Sequence, residues 1–270
     1  MEIEIPQFEN KSDLFAFLVK NQKSLIAQKK AIIKHADAVS FYPSAVMDKG
    51  EKAIKLNNPV TNPGEELKVK VVINTTNLMD SHRDVHIPGL WAKSLSENKS
   101  IMHLQEHRMA FDKIISDGAD LKAFTQTFSW KELGQELDGM TEALVFESTI
   151  RKSRNDFMLD QYANGFVKQH SVGMRYIQLG LAINDPNNGA EFEMWEKYVG
   201  EIANREEAEK IGYFWVVKEA KVIEGSAVPL GSNWVTPTLE NNQKQKPSAD
   251  TSETEPSKDT QKGNDFFSNW

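Results

Sequence analysis

Leu67-Lys68-Val69-Lys70-Val71-Val72-Ile73 puts apolar residues at every second position before closing on a β-branched run. A period of two is what a strand needs when one face meets a core and the other meets water. The stretch predicts a half-buried strand and marks the start of a β-rich region. Downstream, strand-like runs recur at residues 121–130, 143–150, 171–183 and 214–229, the last long enough for two strands or one bent strand. Together they read as an antiparallel set. Two helices interrupt them. Residues 153–165 predict a short helix with Phe157, Met158 and Tyr162 inward and Gly165 at its C-terminal end. Residues 192–211, with Trp195, Val199 and Ile202 at helical spacing, predict a longer one, set off by the turn Asp185-Pro186-Asn187-Asn188-Gly189.

Toward the N-terminus, residues 10–36 carry Leu14, Phe17, Leu18, Leu25, Ile32 and Ile33 at helical spacing, with Ser12 and Asp13 as candidate caps. One amphipathic helix is expected there. Residues 42–64 contain Pro43, Pro59 and Pro63 and read as a linker. After Pro237 the chain is polar and low in apolar content, so residues 236–270 are expected to form a disordered tail. The tail ends in Asp265-Phe266-Phe267-Ser268-Asn269-Trp270, three rings on a flexible tether and a candidate anchor for a partner. The expected organisation is a helical arm and linker over 1–63, a β-rich domain with helices over 64–235 and a tail over 236–270.

With 39% hydrophobic and 26% charged residues, the chain has the composition of a globular protein with a buried core. A net charge of −7 argues against a nucleic-acid partner, because that affinity rests on Lys and Arg displacing counterions. The absence of cysteine excludes disulfides, thiolate nucleophiles and Cys-ligated metals. Any nucleophile must be an oxygen or an amine. Neither a signal peptide nor a membrane span is expected, and the protein is expected to stay in the cytosol.

Four of the six histidines, His82, His86, His103 and His107, lie close together in the chain. His103-Leu104-Gln105-Glu106-His107 matches the His-x-x-Glu-His pattern of inverted zinc peptidases, in which two His one helical turn apart bind the metal and the Glu is the base. That pattern requires a helix, and the flanking residues read instead as a loop entering a strand. Gln169-His170-Ser171-Val172-Gly173 opens a strand-like run. Ser171 needs a base from elsewhere, since His170, adjacent on a strand, points to the opposite face. Glu224, flanked by Val222 and Ile223, is by default solvent-facing, or else buried with a partner such as an imidazole N–H.

These segments together resemble one family, the prohead maturation serine proteases of tailed phages, which are related in fold to the herpesvirus assembly proteases. The resemblance runs through Asp80-Ser81-His82-Arg83-Asp84-Val85-His86-Ile87-Pro88-Gly89, then His107, then Ser171-Val172-Gly173, then Glu224-Gly225-Ser226-Ala227-Val228-Pro229 with Asn233 beyond. It covers roughly residues 67–235 and lies in the order of four short motifs. Met174 stands where the family usually has Phe, His170 where Leu is commoner, and the helical segment at 192–211 lengthens the span between the last two motifs.

By position, the resemblance implies Ser171 as nucleophile, His107 as general base and Glu224 as the group orienting the base, with no cofactor and no metal. It implies an α+β fold, an antiparallel β-barrel core flanked by helices. The implied substrates are the scaffolding segment of the capsid protein and the protease itself, inside the assembling procapsid in the host bacterial cytoplasm, with a homodimer left open. Two other readings stand beside it: a zinc-dependent hydrolase using His103, Glu106 and His107, and a non-enzymatic capsid scaffold protein.

Overall fold

The alternating stretch lies within β2 (Glu66–Thr75), whose Val69, Val71 and Ile73 point to one side into the main core. In the computed structural model, which describes residues 5–35, 60, 63–98 and 100–242, β2 pairs antiparallel with β7 (Met140–Arg151) and β10 (Thr238–Asn242). Strand β6 (Leu121–Ser129) pairs with β7 and completes the order β10-β2-β7-β6. Val72 does not face water as strict alternation suggests. It packs with Ala143, Val145, Phe128 and Leu239 in a second, smaller core under the far side of this sheet.

The other sheet runs β1 (Lys34–His35), β8 (Gln169–Ile183), β9 (Tyr213–Val228), β4 (Met102–Gln105), β5 (Ile114–Asp117), with β3 (Asp84–His86) alongside β9. Val172, Met174, Tyr176 and Val222 meet Val71, Ile73, Leu144 and Phe146 between the sheets. The run at 214–229 is therefore one long strand. Two expectations are corrected. The strands are not all antiparallel, since β3 and β4 each run parallel to β9. Nor do the described strands close into a barrel. Strand β5, at the edge of its sheet, reaches β7 through side chains, with Ser116 Oγ 2.7 Å from Ser148 Oγ.

Helix α1 (Lys11–Ala31) is capped not by Ser12 or Asp13 but by Asn10, whose Oδ1 accepts from Asp13 N–H at 2.9 Å. Its Phe15, Leu18 and Leu25 pack on Leu181, Ile183, Tyr213 and Trp215 of β8 and β9. Near its end Lys29 forms an ion pair with fully buried Asp84 at 2.7 Å, and Tyr176 O–H donates to the other carboxylate oxygen at 2.5 Å. A short helix α2 (Ala92–Glu97) precedes β4 where a loop is expected.

In α3 (Lys152–Ala163) Asn155 is non-helical, and its side chain accepts from Met158 N–H at 3.0 Å. The regular helix thus begins after Asn155, and this phase buries Met158 and Tyr162 but leaves Phe157 59% exposed, against expectation. The single helix expected at 192–211 is two, α4 (Gly189–Tyr198) and α5 (Arg205–Ile211), separated by a 3₁₀ turn at Val199–Glu201. The expected tail begins later than 236, because Thr236, Thr238 and Leu239 are buried and β10 extends β2. The rest of the tail with its aromatic end, and most of the linker, lie outside the described residues. Among the described residues no helix is long and apolar enough to cross a membrane.

Because Asp84 is fully buried, removing Lys29 takes away a countercharge from a carboxylate held in the core. Lys29→Met is expected to cost about 3 kcal/mol in urea-induced unfolding, and Lys29→Met with Asp84→Asn to recover part of that loss.

Candidate active site

Strands β8 and β9 pair with Ser171 opposite Ser226, Val172 opposite Gly225 and Gly173 opposite Glu224. Directly opposed residues share a face, so Ser171, Gly173, Glu224 and Ser226 stand on one side of the sheet. Val172 and Gly225 point to the other side, into the core with Phe146 and Ile73. A Cβ at Gly173 would lie 1.8 Å from Glu224 Oε1. Glycine is required there because the carboxylate occupies the space of a side chain.

One bulge makes this arrangement possible. The partner of Gly173 is Glu224, but the partner of Met174 is Val222, which leaves Ile223 as an extra residue on β9. Without the bulge, residues 222, 224 and 226 would share a face. With it, Val222 turns into the core while Glu224 and Ser226 face the site. The default expectation of an exposed Glu224 is thus reversed: it is fully buried.

A buried carboxylate needs hydrogen bonds to both oxygens. His107 Nδ1–H donates to Oε1 at 2.6 Å, and Ser226 O–H donates to Oε2 at 2.6 Å. Ser226 Oγ also accepts from the His107 backbone N–H at 3.0 Å, so one serine ties the carboxylate to the His107 main chain. With Nδ1 engaged, the imidazole is held in the tautomer that offers Nε2 as a proton acceptor when neutral. Its side chain is 7% exposed.

His107 follows β4 in a tight turn. Arg108 N–H donates to Gln105 C=O at 3.1 Å, and Glu106 and His107, the two central residues, both have positive φ, 53° and 56°. This sign pattern belongs to mirror-image turns, which favour Asn and Gly. Here it is held by pairing on both sides: Gln105 sits opposite Ala227 in the sheet, and Glu106 N–H donates to Ala227 C=O at 3.0 Å. The turn stores backbone strain next to the candidate base.

His103 has a different place. It lies on strand β4, not on a helix, and faces the core, where Nδ1 is 3.0 Å from Ser148 Oγ and Nε2 is 3.1 Å from Tyr162 Oη. His170 also points away from Ser171, as strand alternation predicts. Its Nδ1–H donates to Thr236 C=O at 2.8 Å, which leaves Nε2 to accept from Tyr162 O–H at 2.9 Å. The directions then follow around the chain: His103 Nε2–H donates to Tyr162 Oη, and Ser148 O–H to His103 Nδ1. Both imidazoles are neutral. Burial, with the nearby His170, pushes His103 down to about 3, and burial pushes His170 down to about 4 against the opposing Thr236 carbonyl.

The structure therefore brings Glu224 and His107 into contact, sets Ser171 on the same face, and sends His103 elsewhere. His103 and His107 are not one helical turn apart, so the geometry of the zinc pattern is absent. Asp80, Asp84 and Asn233, also part of the resemblance, serve the frame. Asp80 accepts the His82 and Asp84 N–H groups at 2.8 and 2.9 Å, and Asn233 Nδ2–H donates to Thr75 C=O at 2.9 Å. Nothing in the sequence pattern assigns a role to Ser226, beyond its standing two residues after Glu224. No family model, no curated protein and no solved structure matches the chain.

Two measurements probe this frame. A histidine whose folded pKa is depressed leaves the folded state neutral while the unfolded chain takes up a proton below about 6.5, so stability is complete above that pH and falls as pH drops toward 4. Unfolding free energy should decline by up to roughly 1.4 kcal/mol per pH unit for each of His103 and His170. His170→Asn should remove about half of that slope; an unchanged slope would contradict the neutral core pair. At the strained turn, Glu106→Gly should raise stability by about 1 kcal/mol in thermal unfolding, since glycine adopts positive φ without steric cost.

Proposed function

We propose that the chain is a serine endopeptidase with Ser171 as nucleophile, His107 as general base and Glu224 as the group that orients the base. The observation that carries this reading is the buried 2.6 Å contact between His107 Nδ1 and Glu224 Oε1, on the face of β8 and β9 that also presents Ser171. A carboxylate on one imidazole nitrogen leaves the other to accept a proton, the arrangement a serine hydroxyl needs to become a nucleophile.

In this mechanism Ser171 Oγ attacks the peptide carbonyl carbon while His107 Nε2 takes the hydroxyl proton. The tetrahedral intermediate collapses with breakage of the C–N bond, and His107 returns the proton to the departing amine. Water, deprotonated by the same nitrogen, then attacks the acyl-enzyme and releases the acid, and the proton returns to Ser171 Oγ. Glu224 stays ionised throughout and stabilises the imidazolium, and Ser226 holds the carboxylate in place.

The order of motifs that resembles the prohead proteases supports a narrower reading. The substrates are the scaffolding segment of the capsid protein and the chain itself, cut inside the assembling procapsid in the host bacterial cytoplasm. The metal-dependent reading is less well supported, because both ring nitrogens of His103 are engaged in the core.

The test is covalent labelling with a fluorophosphonate probe, followed by peptide mapping. Label should appear on Ser171 and vanish in Ser171→Ala. Glu224→Gln should slow labelling by about 10²- to 10⁴-fold, because a neutral amide still fills the space but supports the wrong tautomer. Gly173→Ala should cost at least about 100-fold while keeping the nucleophile, since its methyl would expel the carboxylate. Labelling elsewhere, or full labelling of Glu224→Gln, would count against the assignment.

A further inference from the structure

Strand β8 has two edges. One is paired with β9 over nearly its whole length, and the other carries β1, two residues of the chain's own N-terminal arm, with Lys34 opposite Met174 and His35 opposite Gly173. The arm is delivered there by α1, anchored by Phe15, Leu18 and Leu25 in the apolar contact with β8 and β9 and by the Lys29–Asp84 ion pair. After this short pairing the described chain resumes at Val60, whose N–H donates to Ala163 C=O at 2.8 Å at the end of α3, a few residues before β8 begins. The arm is thus fastened on both sides of the segment that carries Ser171.

Backbone edges of this kind bind extended peptides by adding a strand, with main-chain hydrogen bonds supplying affinity. A peptide in the register of β1 runs antiparallel to β8. The residue two positions after the one opposite Gly173 then falls opposite Ser171. Any peptide laid on this edge is thereby fed toward the serine from its N-terminal side. In the structure the edge is already taken, and Ser171 is only 3% exposed.

Resting on the endopeptidase reading above, we propose that the edge of β8 at Gly173–Met174 is the peptide-binding edge of the site. Its resident occupant is the arm strand Lys34–His35, which a substrate strand must displace. An occupant tethered to the same chain competes at high effective concentration, so a peptide in trans binds weakly until the arm is released.

Proline lacks the N–H that a strand donates, so Lys34→Pro with His35→Pro disables the arm strand while leaving α1 and its apolar contacts intact. The measurement is made on the full chain carrying Ser171→Ala, with and without this proline pair. The probe is a fluorescein-labelled synthetic peptide of residues 30–41 of this chain, followed by fluorescence polarisation. The proline pair should bind the peptide at least about tenfold more tightly, and the milder His35→Pro should fall between, with circular dichroism unchanged in both. Equal affinity across the three proteins, or no binding by any, overturns the proposal.

Fluorophosphonate labelling of the same variants with Ser171 restored separates the two readings. Labelling with equal peptide affinities sinks the edge competition and leaves the protease. Tighter binding by the proline variants without labelling at Ser171 keeps the peptide-binding edge and sinks the protease.

Discussion

Between β8 and β9 there is room for one carboxylate, and none for a carboxylate together with a methyl group. Glu224 Oε1 lies where a Cβ of Gly173 would stand, so the glycine after Ser171-Val172 is a steric condition for the buried acid. Once Glu224 is inside, its charge dictates the rest. A buried carboxylate needs donors on both oxygens, and these are the His107 imidazole and the Ser226 hydroxyl. The His107 main chain is in turn tied to Ser226, which keeps two consecutive positive-φ residues in place at the end of β4. Strain at Glu106 and His107 is thereby held by the sheet that the site is built on.

The same sheet uses its two faces for two chemistries. On one, the Glu224 carboxylate meets the His107 imidazole, and Ser171 stands on the same side. On the other, Ser116, Ser148, His103, Tyr162, His170 and Thr236 form a directional chain of neutral groups through the core. Desolvation keeps both of those imidazoles uncharged, and every polar atom in the chain that needs a partner there has one from its neighbour. The chain also clamps the residue preceding Ser171. His170 N–H donates to Thr236 Oγ1 at 3.1 Å, and Thr236 O–H donates to His170 C=O at 2.7 Å. The backbone that presents the serine is therefore anchored from behind by the segment leading into β10.

Much of the fold was legible because burial imposes periodicity. The alternation at 67–73, the long apolar runs at 171–183 and 214–229 and the helical spacing in the arm all correspond to observed elements. Strand alternation alone also separated His170 from Ser171. Pairing was less legible. The parallel partners of β9 join residues more than a hundred positions apart, and no local pattern encodes which distant strand lies alongside. The phase of α3 turned on Asn155 capping the helix from within, a choice that exposes Phe157 and that helical spacing alone does not anticipate.

By itself the sequence determined which chemistries were open to the chain and where its five long strands and first helix lie. With no cysteine any nucleophile had to be an oxygen or an amine, and an imidazole, a serine and a carboxylate stood in separate short motifs. Which histidine meets the carboxylate was decided only in three dimensions. His103 and His107 are four residues apart, yet a strand turns the first into the core and a strained turn swings the second to the opposite face. The bulge at Ile223 likewise sets Val222 and Glu224 on opposite faces, although simple alternation would put them on the same one. Both outcomes depend on the partner strand, because a residue's face is fixed by pairing register and by the bulges that interrupt it.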